Sequence, residues 1–353
     1  MKKFTAVDLF SGVGGIRLGL QNAGFDMLFS NDNDPYCKIT FENYFKENLD
    51  SRDIRDIDFD DIPDHDLLAA GFPCQPFSQA GHQKGFEDSR GSLFFRLAEI
   101  IEAKKPKAFL LENVKNLVSH NGKETFRIIM DTLENKLGYT VYSKVLSSVD
   151  YGLPQKRQRI YIVGFKNKTE FEFPEPKNHH KTVANILEEN VDESYFLSQK
   201  YYEGLVRHRN RHRAKGSGFG FEILNPDSVA YALVVGNMGR ERNLIQDKPR
   251  GGFYKEGDDK ATKRNALGVR KLTIKECARL QGFPENFDFE AVTKTQAYKQ
   301  LGNTVSVPVI EAIAKEILVA LGKSKSNNSR KDKTVGKTNY LFAEANYPHQ
   351  LVK

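Results

Sequence analysis

Cys74 is the residue of this chain best placed for covalent chemistry. It sits in Gly71-Phe72-Pro73-Cys74-Gln75-Pro76-Phe77-Ser78, directly after Leu67-Leu68-Ala69-Ala70, an apolar run that reads as a buried strand. Proline donates no backbone hydrogen bond and fixes its own φ, so Pro73 and Pro76 end the strand and leave Cys74 on a rigid turn. Open α/β sheets place their ligands at this carboxyl edge. A thiol presented there is a nucleophile once something stabilises its thiolate. The competing reading is a buried structural cysteine, and the surroundings decide between the two.

Three further groups could share that edge. Glu112 follows the apolar residues Phe109-Leu110-Leu111, where a carboxylate is costly without partners or a task. If the sheet is parallel, Glu112 and Cys74 emerge on the same side; capping a following helix is the alternative for Glu112. Arg157 and Arg159 alternate with Lys156 and Gln158, so an extended segment turns both guanidinium groups one way. Such a pair suits a carboxylate or a phosphate, with surface salt bridges as the plainer reading. Finally, Asp32 lies twenty positions after Gly12 of Ser11-Gly12-Val13-Gly14-Gly15, the spacing at which an acid meets a ribose diol. This leaves a dinucleotide and S-adenosylmethionine both open. Asp53 is a second polar candidate there, or a solvated loop acid.

These residues need a scaffold, and the chain supplies the pattern for one. Residues 4–10 predict a first strand, the glycine turn follows, and Ile16, Leu18, Leu20 and Ala23 predict a helix. Strand, glycine turn and helix open a nucleotide-binding βαβ unit, in which glycines admit close approach and the helix start favours an anionic group. Residues 27–32 predict a second strand, 36–44 a helix, 93–103 a helix, 108–114 a strand and 160–164 another. The polar run 81–91 between Cys74 and the helix at 93 reads as a mobile loop able to close over a site. Thr273 with Glu276 forms a capping box ahead of a helix that Gly282-Phe283-Pro284 stops.

At 353 residues the chain has room for about two domains. No apolar run approaches a membrane span and the first residues open no signal peptide, which predicts a cytoplasmic protein. Cys37, Cys74 and Cys277 are far apart, so neither a zinc site nor a disulfide framework is indicated. The net charge of +7 fits a polyanionic partner only if it is concentrated. It is concentrated in residues 207–215, where Arg207, Arg209, Arg211 and Arg213 read as contacts to a nucleic-acid backbone, against a solvated charged helix.

In order along the chain, DLFSGVGG, GFPCQPFS, GFEDSRGSLFF, LLENVKN, QKRQRIYIVG, RKLTIKECARLQGFP and YKQLGNTVSVPV resemble the blocks of bacterial DNA (cytosine-5) methyltransferases. The likeness runs from Phe4 to about Leu321. It implies an α/β fold: a large Rossmann-like, S-adenosylmethionine-dependent domain with a mostly parallel sheet, plus a small loop-rich target-recognition domain. It makes Cys74 the nucleophile on cytosine carbon 6, and has Glu112 engage N3 and the exocyclic amine. Arg159 would support the base through its carbonyl oxygen, with Arg157 nearby in a similar role. Gly12, Gly14, Gly15 and Asp32 would hold S-adenosylmethionine, and Asp53, Pro73, Asn303, Thr304 and Val305 would complete its pocket. Ser78, Lys84, Ser89 and Arg90 join the four arginines as expected DNA contacts.

Two positions depart from the family. Its usual Glu-Trp pair is Asp32-Asn33 here, which removes an aromatic face for adenine and leaves Phe10 or another apolar residue to replace it. Its usual Thr-Leu pair has Ala232-Leu233 as counterpart. The expected division is 1–176 catalytic, 177–292 target recognition, 293–322 returning to the catalytic domain through a helix at 307–321, and a largely disordered basic tail at 323–353. The implied partner is double-stranded DNA, bound by a monomer, with a cognate restriction endonuclease as functional counterpart. A catalytically inactive DNA-binding paralogue and an RNA cytosine methyltransferase are the alternatives. A dehydrogenase leaves PCQPFS and the basic region unexplained.

Overall fold

Strict alternation along the central strands buries both faces of one sheet. The computed structural model describes residues 3–73, 93–177, 181–216, 220–235 and 241–327. Its first part runs β1 (Thr5–Leu9), α1 (Gly15–Ala23), β2 (Asp26–Asn31), α2 (Pro35–Phe45), β3 (Leu67–Gly71), α3 (Leu93–Lys104), β4 (Ala108–Val114), α4 (Glu124–Asp131), β5 (Thr140–Ser147), β6 (Gln155–Lys156) and β7 (Gln158–Phe165). The sheet order is β2-β1-β3-β4-β7-β5. The first four strands are mutually parallel, whereas β7 is antiparallel to both β4 and β5. The mostly parallel sheet was expected; the antiparallel β5–β7 arm was not.

Ala6, Leu67, Ala69, Leu110 and Val163 point to one face, where Ile16 and Leu20 of α1 cover them. Val7, Leu9, Leu68, Leu111 and Ile162 point to the other, under Phe94, Leu97 and Ile101 of α3. Period-two side-chain direction makes this two-sided burial possible.

The second part comprises α5 (Gln199–Ala214), β8 (Glu222–Ile223), β9 (Ala230–Tyr231), β10 (Asn243–Gln246), β11 (Val269–Lys271), α6 (Ile274–Gln281), α7 (Lys294–Asn303) and α8 (Val307–Asn327). β11-β10-β8 form a small sheet, and β6 pairs with β9 in a two-residue parallel ladder that joins the two parts. The capping box of α6 is present, with Thr273 Oγ1 accepting from Glu276 N at 3.0 Å and Glu276 Oε2 from Thr273 N at 2.8 Å. Glu276 also grips the buried guanidinium of Arg270 at 2.8 and 2.9 Å. Leu280 and Leu301 of α6 and α7 share a core with Val13 and Leu18 beside the glycine turn.

α8 lies on α1. Gly19 allows the close approach, since a Cβ there would come within 2.7 Å of the Ile310 side chain. Ile310, Ile313 and Ile317 are fully buried, each worth about 1.5–3 kcal/mol. The helix extends to Asn327, past the expected end at Leu321, because propagation from a packed helix costs little per added residue. The rest of the tail, 328–353, lies outside the described residues. Among those residues no helix is long and apolar enough to cross a membrane.

Candidate active site

The parallel pairing of β3 with β4 puts Gly71 opposite Glu112. The chain therefore leaves β3 beside this carboxylate. Asn113 Nδ2 donates to Phe72 O at 2.8 Å and fixes the exit, and Phe72 is buried against Phe94 at 5.7 Å between ring centres. Pro73, exposed, is the last residue before an interval outside the described residues. That interval holds Cys74, Ser78, Lys84, Ser89, Arg90 and the 81–91 loop.

Glu112 is still within β4 and caps no helix. On β7, Arg159 pairs with Val114 and Tyr161 with Glu112, so Arg159 is the diagonal neighbour of Glu112 on one face. Arg159 Nε lies 3.1 Å from Glu112 Oε1. Burial raises the Glu112 pKa, while the guanidinium groups of Arg159 and Arg157 oppose that shift. Oε1 has no aligned hydrogen-bond donor among the described residues. The site thus holds a buried carboxyl group biased toward its protonated form, with a fixed cation beside it.

Arg157 is close to this pair but occupied differently. Its Nη1 donates to Leu233 O at 2.9 Å, and its Nη2 to the carbonyls of Gly302, at 3.2 Å, and Thr304. The residue is 2% exposed, and burial pushes its pKa down to about 9, which leaves it charged at neutral pH. Gln155 works alongside it: Oε1 accepts from Leu233 N at 2.8 Å, and Nε2 donates to Leu280 O at 2.8 Å. One segment, 155–157, therefore ties the Ala232-Leu233 segment after β9 to the C-terminal end of α7 at Gly302–Thr304. Three carbonyls occupy the Nη1 and Nη2 donors of Arg157, and only its Nε is left without a partner among the described residues.

The glycine turn is sharply bent. Phe10, Gly12 and Gly14 have φ of 55°, 56° and 86°, a conformation that costs a non-glycine residue such as Phe10 on the order of 1–3 kcal/mol. Asp32 holds the turn: Oδ2 accepts from Gly12 N at 2.8 Å and Oδ1 from Asp34 N at 2.9 Å. A carboxylate oxygen accepts more than one hydrogen bond, so Asp32 keeps capacity for a diol. Burial raises its pKa. A Cβ on Gly15 would lie 2.5 Å from Thr304 Oγ1 and 3.1 Å from Val305. Gly15 is thus the residue that lets the Thr304-Val305 turn close on the glycine turn, with Asn303 exposed at its edge.

Asp53 faces Arg55 at 2.7 Å, and that guanidinium holds its pKa down to about 2. Asn33 Nδ2 reaches Asp53 at 3.4 Å, so the position without an aromatic ring links to the second acid instead.

Two residues escaped the sequence reading. Asp8 is fully buried under the glycine turn, where it accepts from Ser11 Oγ at 2.6 Å and Arg17 N at 3.1 Å. Burial lifts its pKa to about 7. Arg17 is 2% exposed, pairs with Glu47 at 2.6 Å and lies over the rings of Phe41 and Phe45. A carboxylate inside the apolar run 4–10 was the available signal.

The four arginines of residues 207–213 lie on α5, where steps of two residues fall on opposite sides. Arg209 packs over Phe221 at 4.2 Å and Arg213 pairs with Glu222 at 3.2 Å. Arg207 and Arg211 are exposed on the other side. They do not form one continuous cationic surface.

A family model described as "C-5 cytosine-specific DNA methylase" matches residues 4–319. The chain belongs to that family. It is a DNA cytosine methyltransferase. It is 45% identical over 331 residues to the type II methyltransferase M.HpaII of Haemophilus parainfluenzae, covering 91% of both chains. It is also 45% identical over 321 residues to M.NlaX of Neisseria lactamica, covering 90% of this chain and 97% of that one. Among solved structures, the Entamoeba histolytica methyltransferase EhMeth shares the fold, with a TM-score of 0.71, 21% identity, and coverage of 91% and 99% of the two chains.

Proposed function

We propose that this methyltransferase acts on carbon 5 of a cytosine turned out of a duplex, through a covalent adduct at Cys74. The observation that carries the reading is the Glu112–Arg159 pair at the strand edge from which the chain runs directly into Cys74. Carbon 5 is a weak nucleophile in the intact ring. The Cys74 thiolate forms a bond to carbon 6, and electron density moves to carbon 5 as an enamine. Protonated Glu112 donates to N3 and accepts from the exocyclic amine, which favours that electron-rich ring. Arg159 orients Glu112 and binds the carbonyl oxygen at carbon 2. After carbon 5 takes the methyl group, water accepts its proton, the carbon 5–hydrogen electron pair reforms the ring double bond and expels sulfur from carbon 6, and the thiolate returns. A stacked base hides carbon 6, so the nucleotide must leave the helix.

S-adenosylmethionine would supply an electrophilic methyl group. The glycine turn, Asp32 and the Thr304-Val305 turn fit it: the backbone is open at Gly12, the acid retains acceptor capacity, and Gly15 closes the far wall. Phe10, Asp53, Pro73 and Asn303 complete the pocket in this reading. Arg157 positions that pocket, since its Nη1 and Nη2 donate to backbone carbonyls on both sides of it.

Residues 177–292 supply target recognition, and the protein works as a monomer. The relatives named type II methyltransferases support a restriction–modification role, protecting host DNA from a cognate endonuclease. Cys74→Ser should abolish methyl transfer to duplex DNA while S-adenosylmethionine binding stays within a few-fold. Substantial turnover by that variant would refute the adduct.

A further inference from the structure

The parallel ladder between β6 and β9 pairs Lys156 with Tyr231, one residue before Arg157 and three before Arg159. Tyr231 is 37% exposed, and two cations lie against its ring: Lys156 Nζ at 5.8 Å and the Arg242 guanidinium at 5.0 Å from the centroid. Lys156 is exposed and Arg242 half-buried. Neither meets a carboxylate within salt-bridge distance among the described residues, in contrast to Arg213, Arg270 and Arg279, which all do.

The backbone beneath this platform is fixed. Asn243 Oδ1 accepts from Tyr231 N at 3.0 Å, and Asn243 Nδ2 donates to Tyr231 O at 3.0 Å. Two residues further on, Leu233 is clamped between Gln155 and Arg157. Three residues of extended chain span at most about 10 Å, so the platform stands within that reach of Arg159, the residue that pairs with Glu112.

We propose that Lys156, Tyr231 and Arg242 form a preorganised contact for the DNA backbone beside the displaced cytosine. Two cations that meet no carboxylate among the described residues, held by an aromatic ring rather than by an acid, keep their charge available to a phosphodiester. The ring limits their side-chain freedom, which lowers the entropy lost on binding. The contact rests on the DNA reading above and deepens it: it assigns backbone recognition to the β6–β9 junction in addition to α5.

The test is duplex binding across a salt series, with S-adenosylmethionine binding as a control for folding. Lys156→Gln and Arg242→Gln should each reduce the slope of log K against log salt by about 0.9. The loss should be equal on cognate and unrelated duplexes. Tyr231→Ala should weaken DNA binding several-fold and Tyr231→Phe should not, because only the ring is required. Wild-type slopes in both charge variants, with the wild-type enzyme still methylating duplex DNA, would overturn the contact and leave the function standing. Loss confined to the cognate duplex would also overturn it, because it would mean base reading. Failure of the wild-type enzyme to bind or methylate any duplex would sink both.

Discussion

Two segments carry arginines at every second position, and they spend that charge in opposite ways. In residues 157–159 the chain is extended, so Arg157 and Arg159 turn to the same side and both act on Glu112. On α5 the same spacing advances about 200° per step, using roughly 100° per helical residue. Arg209 and Arg213 therefore face Phe221 and Glu222 while Arg207 and Arg211 face outward. Identical spacing gives a concentrated interior charge in one segment and a divided one in the other. The backbone period, more than the number of arginines, decides what the charge can do.

The interior segment should be the more sensitive of the two. Glu112→Gln is expected to lower kcat by about 10²–10⁴ with S-adenosylmethionine affinity retained, the range for loss of a proton donor in a transition state. The sign of its pH dependence follows from the pKa shift. Burial raises the Glu112 pKa, so the protonated, donating form persists to higher pH and is lost as pH rises through that value. The wild-type rate should decline on that limb, and the Glu112→Gln rate should not.

Arg157→Met comes next. It strips the donor from the carbonyls of Leu233, Gly302 and Thr304, and each buried acceptor left unsatisfied costs about 1–3 kcal/mol. A clear fall in Tm and a raised KM for S-adenosylmethionine are expected, with partial rescue by Arg157→Lys. An Arg211→Met variant, exposed on α5, should keep its Tm. If the two variants behaved alike, the contrast between the segments would be broken.

The smallest effect should separate the two faces of α5. Replacing Arg207 and Arg211 by Gln should flatten the salt dependence of DNA binding by up to about 1.8, or 0.9 for each phosphate contact. Replacing Arg209 and Arg213 should change that slope less and lower Tm instead, since Arg209 packs on Phe221 and Arg213 is neutralised by Glu222 at the surface. Equal slopes for both pairs would restore the single cationic surface expected from the sequence.

Much of the fold was legible because the signals were local. The apolar run at 108–114 matched β4, the glycine turn came between β1 and α1, and Thr273 with Glu276 capped α6. The edge shared by Gly71 and Glu112 followed once the first strands were parallel. The antiparallel β5–β7 arm was not legible, because strand direction depends on connections that periodicity does not encode. The three-carbonyl grip of Arg157 was also hidden, as its partners lie 76, 145 and 147 positions away in sequence. Asp8 was visible as a polar residue in an apolar strand, but its role required seeing Ser11 and the Arg17 amide converge on it.

Covalent trapping tests the central claim most directly. A duplex with 5-fluorocytosine at the target position permits thiolate addition and methyl transfer but offers no proton at carbon 5 to remove, so the adduct cannot resolve. Incubation with S-adenosylmethionine, denaturation and peptide mass mapping should find one DNA-linked residue, Cys74. Glu112→Gln should form the same link more slowly. Methylation of ordinary duplex by the same enzyme, with no covalent species on the fluorinated duplex or with the link at another residue, would contradict the account.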